Sequence, residues 1–272
     1  MATAPLDDAG FAPLETAPQS ERFAMKMAIA MALTVVAGFS LQLFMGRSTF
    51  GSPLRVHVHA VLFMGWVVIF LLQTYFATRG PLALHRKLGW VAAGWMVLMI
   101  GAALTVIVAM ARNGTVPFFF RPQQFLIADP MDLLAFAGMT VAAIVMRNRT
   151  DWHARLHLGA MALLTGPAFG RLLPLPLLTP YAFEAAGFAS LVFPIAGMIR
   201  DRRVLGSVHP AWLVAVGVFA AQTAAYEAIA YSPLGEAIYA RVTAGAPGAR
   251  VPGLEFPAPP IGPLVTGRKS PI

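Results

Sequence analysis

The chain contains no cysteine. That excludes a disulfide, a thiolate metal site, a cysteine nucleophile and covalent attachment of a c-type haem. It is also poor in charge: 12% of its 272 residues are Asp, Glu, Lys or Arg, whereas 58% are hydrophobic. A water-soluble domain carries about 25% charged residues, so this chain has too little polar surface to cover itself in water. No G-x-x-x-x-G-K-[ST] phosphate loop occurs, and no lysine lies in the last apolar run. Neither P-loop nucleotide chemistry nor a seven-helix retinal Schiff base is therefore supported.

What is present is a series of apolar runs of about 20 residues, the length a helix needs to cross roughly 30 Å of hydrocarbon. The runs are continuous rather than alternating, which points to helices and against a β-barrel. The expected fold is all-α, a polytopic seven-helix bundle with spans at about 23–45, 58–78, 88–111, 131–147, 155–173, 181–199 and 211–231. Pro53, Pro81, Pro117, Pro130, Pro180 and Pro210 fall between spans or at their starts, where a missing amide proton costs least. Pro167 and Pro194 fall inside the fifth and sixth spans and predict kinks there. Residues 1–22, with Asp7, Asp8, Glu15 and Glu21 and no basic n-region, read as a disordered tail rather than a secretory signal. Residues 232–272, rich in Pro and Gly, read as an irregular C-terminal tail.

Basic residues set the direction. With the N-terminus cytoplasmic, the inner segments hold Arg22, Lys26, Arg79, Arg86, Lys87, Arg147, Arg149, Arg155, Arg200, Arg202 and Arg203. The outer segments before the C-terminal tail hold Arg47, Arg55, Arg112, Arg121 and Arg171, a split of eleven against five. The formal charge of +8 is thus spread over short loops and speaks for a lipid bilayer, that of a bacterial inner membrane, and not for nucleic acid.

This topology sorts the histidines. His85, His153, His157 and His209 fall at cytoplasmic span ends, and His57 and His59 at the outer end of the second span. The run WHARLH sets His153 and His157 four residues apart on one helix face. A b-type haem needs two neutral imidazoles, usually from two helices of a bundle. His157 lies about 6 Å deeper than His153 at 1.5 Å per residue, which makes His157 and His85 the expected ligands, with His153 beside them. The H-x-x-x-H spacing also fits a shared zinc or di-iron ion, although the partner carboxylate is missing. The plainer account is interfacial polar residues beside positive-inside charges.

The outer half collects His57, His59, Asp132, Arg171, Glu184 and Glu227. Charged groups in hydrocarbon are expensive and usually face a bundle interior or a watery cavity. They are expected to line a polar vestibule in which Arg171 pairs with Asp132 or Glu184; ordinary snorkelling at the interface is the alternative. Gly166, Pro167 and Gly170 just before Arg171 leave room for a neighbouring helix. The segment PFFFRPQQF, 117–125, reads as an outer loop on the membrane surface, and Trp66, Trp90, Trp95, Trp152 and Trp212 as an aromatic belt.

The run HVHAVLFMGWVVIFLLQTYFATRGPLALHRKLGW, followed by WHARLHLGAMALLTGPAFGR, resembles a loose group of bacterial multispanning proteins of unknown function. The matching positions are His59, Trp66, Gln73, His85, Arg86, Gly89, His153, Arg155 and Arg171. The group is distantly similar to four-helix b-type cytochromes, although their ligand spacing is not reproduced here. The group has no settled activity to carry over; the leading expectation is a redox-linked membrane protein using haem b or quinone, with His85 and His157 as ligands. The alternative is a non-enzymatic transporter, or an accessory subunit of a larger membrane complex, that uses the polar outer vestibule.

Overall fold

Long apolar runs in which every backbone amide must find a partner within its own segment can only coil. In the computed structural model, which describes residues 17–262, they do so: all regular structure among the described residues is helical. The helices are α1 (Ala17–Phe44), α2 (Leu54–Thr78), α3 (Leu82–Asn113), α4 (Pro122–Val145), α5 (Thr150–Leu163), α6 (Gly166–Leu172), α7 (Ala182–Ser190), α8 (Val192–Val204), α9 (Pro210–Ala230) and α10 (Pro233–Thr243). Six stretches are long and apolar enough to cross a membrane: Gln19–Phe44, Leu54–Thr78, Leu82–Asn113, Pro122–Asn148, Ala182–Val204 and Pro210–Ala230. Mid-helix side chains such as Val61, Val97, Leu98, Leu134 and Leu213 are exposed. Lipid accommodates such a surface and water does not.

The proline rule misplaces one helix and identifies two breaks. Pro130 does not precede the fourth span but lies inside it, because α4 starts nine residues earlier than expected, at Pro122. Residues 122–125 are consequently the buried first turn of α4, not part of a surface loop. The fifth expected span is divided at Leu164–Thr165 into α5 and α6, with Pro167 in the first turn of α6. The sixth is divided at Leu191, just before Pro194 in α8.

Both tails differ from expectation. Residues 17–22 already belong to α1, and 1–16 lie outside the described residues. Beyond Ala230 the chain forms α10 and a 3-10 turn, Pro247–Arg250, that fold over the C-terminal end of α3 and the N-terminal end of α4. Gly114, with φ of 65°, ends α3. Arg112 Nη1 donates to the Val242 carbonyl at 2.6 Å, and the Gln123 amide donates to the Gly253 carbonyl at 2.8 Å. These bonds give the Pro/Gly-rich segment fixed partners.

Small residues let the helices approach closely. Gly65 of α2 receives the Trp95 ring of α3, whose Nε1 donates to the Leu62 carbonyl at 2.8 Å. Trp95 is thus a packing residue and not part of a belt, and buried Trp66 and Trp212 likewise belong to the core. Gly38 of α1 lies against the Ala168 backbone of α6, where a Cβ would come within 2.6 Å of the Ala168 carbonyl oxygen. Backbone cannot yield as a side chain tip does. Gly38→Leu is expected to destabilise the protein by about 1–3 kcal/mol, the range for overpacking. Gly101→Leu, at a position with nothing within 4 Å, should leave thermal unfolding in detergent nearly unchanged. Equal midpoints for the two variants would refute the close α1–α6 contact.

Candidate functional site

The histidines at the N-terminal ends of α3 and α5 converge. His85 sits in the first turn of α3, and His153 in the first turn of α5. Because both helices start at the same level, these two rings meet, with centroids 6.0 Å apart. His153 in turn stands edge-on to His157 at 4.6 Å. The expected pair, His85 and His157, is therefore a row of three in which His153 occupies the middle. His153 Nδ1 lies 2.7 Å from the Ala143 carbonyl. A carbonyl oxygen only accepts, so Nδ1 carries the proton and Nε2 is left as a lone-pair donor, an arrangement typical of metal-binding histidines. Gln73 holds His85: its main-chain carbonyl lies 3.2 Å from His85 Nδ1, and with its side-chain amide turned to satisfy its neighbours the nitrogen donates to the His85 carbonyl at 3.0 Å and the oxygen accepts from the Gly89 amide at 2.7 Å. Among the described residues no group of three or more His, Asp and Glu is placed to hold a metal ion. That does not favour the zinc or di-iron arrangement. His209 stands apart from this row. It caps α9 by accepting from the Ala211 amide at 3.2 Å and bonds Asp151 Oδ2 at 2.9 Å.

The opposite half of the bundle is organised by α4 and α9, which run antiparallel in a constant register. Gln123 Nε2 donates to the Ala230 carbonyl at 2.6 Å, and Gln124 Nε2 donates to Glu227 Oε1 at 2.7 Å. Two turns deeper, the same register brings Asp132 of α4 level with Gln222 of α9. Gln124 also donates to Glu184 Oε1 of α7 at 2.6 Å, so one buried amide bridges two carboxyl groups from different helices. At the rim above them Arg121 donates to the Tyr231 hydroxyl at 2.7 Å and lies 4.4 Å over the Phe256 ring.

Below this bridge lies a second polar layer. Asp129 and Asp132 follow Pro122 by about 10 and 15 Å along α4, at 1.5 Å per residue, deep within a long apolar helix. Three-residue spacing puts both carboxyls on one face. Arg171 interacts electrostatically with Asp129 and with His59. Its expected partners were Asp132 and Glu184, yet no salt bridge to either forms among the described residues. Arg171 instead donates Nη1 to the Pro167 carbonyl at 2.7 Å and stacks 4.1 Å over the Phe39 ring. The short helix α6 turns Arg171 back on its own chain and toward α1. His57 is separate from this layer; its Nε2 lies 3.1 Å from the Phe50 carbonyl in the outer loop.

Among the described residues the buried polar atoms without a hydrogen-bond partner are His59 Nδ1, Trp66 Nε1, Glu184 Oε2, Gln222 Oε1, Thr223 Oγ1 and Gln42 Oε1, of which Glu184 Oε2 belongs to the bridge. The bridge and the layer below it together hold His59, Asp132, Arg171, Glu184 and Glu227, all expected from the sequence, and Asp129, Gln123, Gln124 and Gln222, which were not. The signal for Gln123, Gln124 and Asp129 was QQFLIADPMD, a polar sequence within an apolar stretch, obscured by treating Pro130 as a helix boundary; Gln222 had no such signal. No protein-family model matches the chain, and neither a curated protein nor a solved structure matches it significantly.

Proposed function

We propose that this protein is a seven-span integral protein of the bacterial inner membrane, with a cytoplasmic N-terminus, that moves a small polar solute or ion through its bundle interior. In this reading α5 and α6 together make the seventh crossing, about 34 Å over Thr150–Leu172 at 1.5 Å per residue. The split of basic residues supports the orientation. The observation that carries the functional reading is the deep pair Asp129 and Asp132 beside a Gln222 oxygen without a partner. Ionisable groups at such depth mark solute and proton paths, and the neighbouring breaks within α5–α6 and α7–α8 resemble the discontinuous helices of transporters.

Purified protein in sealed liposomes should dissipate an imposed ion or solute gradient faster than protein-free vesicles. Asp132→Asn should remove at least nine-tenths of that flux, and Arg47→Ala, in an outer loop, should leave it intact. Vesicles as tight as protein-free ones to ions and small polar solutes would overturn the proposal and favour an accessory subunit. A second reading, haem b held by His85 and His153, is favoured by the His153 Nδ1–H bond to Ala143, which leaves Nε2 free for iron. Haem would supply one-electron chemistry there. Protein made with ample haem should then show a reducible Soret band that His153→Ala abolishes. A colourless preparation removes this reading.

A further inference from the structure

We infer that the groove between Arg55 of α2 and Arg112 of α3 binds the headgroup of an anionic phospholipid, with an acyl chain lying along α3. The inference rests on the passage of these two helices through a membrane and is independent of the transport reading. Arg79, Gly80 and Pro81 alone join α2 to α3, so the two helices form an antiparallel hairpin. Trp95 Nε1 donates to the Leu62 carbonyl at 2.8 Å, and His85 Nδ1 lies 3.2 Å from the Gln73 carbonyl, which fixes the register. Continued along the pair, that register sets Arg55 about level with Leu104. Arg112 follows Leu104 by about 12 Å at 1.5 Å per residue. Both arginines line one open groove, whose wall includes Leu104 and Val108.

Charge complementarity selects the occupant. Among the described residues no salt bridge joins either arginine to a carboxylate. Arg112 gives one donor to the Val242 carbonyl at 2.6 Å, which fixes the guanidinium and leaves the rest of its fork free. Two guanidinium groups over one groove repel unless an anion lies between them, and their planar forks match the oxygens of a phosphate. α2 begins behind Pro53 with no side-chain cap, which adds the positive end of a helix dipole beside Arg55. Away from the arginines α3 continues as an exposed apolar stripe through Leu104, Gly101, Leu98 and Val97. A Cβ at Gly101 would meet nothing within 4 Å, so the stripe has a dent that a hydrocarbon chain fits. A second copy of the chain docked here by two-fold symmetry would gather four arginines with no acid among them. A phospholipid supplies the phosphate and the hydrocarbon together.

The test is thermal unfolding of the full-length protein in a neutral detergent, titrated with phosphatidylglycerol or with phosphatidylcholine of the same acyl chains. Phosphatidylglycerol at a hundred times its Kd should shift the folding equilibrium about a hundredfold toward the native state, and phosphatidylcholine should shift it far less. Arg55→Gln and, separately, Arg112→Gln should each weaken the phosphatidylglycerol effect at least tenfold, the loss of a charge-assisted hydrogen bond. Arg147→Gln, on the connection from α4 to α5, should keep it. Arg112→Gln also forfeits the bond to Val242; Arg55→Gln breaks no hydrogen bond among the described residues and keeps the test decisive if the other variant does not fold. Equal stabilisation by the two lipids overturns the inference, as does a phosphatidylglycerol effect that survives both substitutions. Inorganic phosphate that stabilises as well as phosphatidylglycerol also overturns it, because the acyl chain then contributes nothing. None of these outcomes bears on flux in liposomes, so the transport reading stands or falls separately.

Discussion

Asp201→Ala should be among the most destabilising single substitutions in this protein, costing about 3–5 kcal/mol, the range for breaking a buried ion pair. Asp201 is fully buried, 0% exposed, near the C-terminal end of α8. Arg155 of α5 reaches it with two bonds, Nε to Oδ2 at 2.8 Å and Nη2 to Oδ1 at 3.1 Å. Arg200 Nη1 donates to Oδ1 at 3.0 Å, and the Trp212 indole of α9 donates to Oδ2 at 2.9 Å. Arg200 also lies 4.8 Å over the Phe23 ring, which brings α1 to the same junction. Gly197, one turn before Asp201, leaves the space that the Trp212 ring occupies. Without the carboxylate, a buried indole N–H and the Arg155 guanidinium lose their acceptor together. Asp201→Asn keeps an acceptor for Trp212 and should fall between wild type and Asp201→Ala. Adding Arg155→Met to Asp201→Ala should recover part of the loss, since one stranded charge goes with it. Unfolding midpoints within experimental error of wild type for all three variants would show that the junction does not hold the bundle.

Hydropathy made the spanning helices legible because the constraint is local: a segment in hydrocarbon must be apolar along its length and satisfy its own backbone. Pro130 misled because proline usually marks helix ends in water, where the freed carbonyl and the ring clash cost most. In a bundle, neighbours compensate, and α4 runs through it. That single displacement moved Asp132 from an expected helix start to the middle of a span and removed Asp129 from view.

The histidine row was legible in its members and not in its order. The spacing of His153 and His157 is a property of one helix, but whether His85 meets one or the other depends on the relative heights of α3 and α5. Asp201 lies among Arg200, Arg202 and Arg203, and nothing in the sequence sets it apart from them. Its burial depends on Arg155 and Trp212, distant in sequence. Gln123, Gln124 and Gln222 carry no charge, and nothing in a linear scan distinguishes a bridging amide from a tolerated one.

The other large effect is expected at Gln124. Its side chain is 1% exposed, and its single amide nitrogen serves both Glu184 and Glu227. Gln124→Met conserves volume and removes the donor, so that two carboxyl groups face each other with nothing between them. A hydrogen bond to a charged group contributes about 1.5–3 kcal/mol, and two are lost here along with the screening of one acid from the other. The loss should exceed that of Gln123→Met, which forfeits one side-chain bond to a neutral carbonyl. Glu184→Gln supplies the missing donor from the opposite helix, because its amide can reach Glu227 across the same gap. In that background Gln124→Met should cost less than half of what it costs in wild type, a non-additivity read from chemical unfolding of the four proteins of the cycle. Strict additivity would mean that Gln124 supports α4 by packing alone and that the two glutamates do not communicate through it.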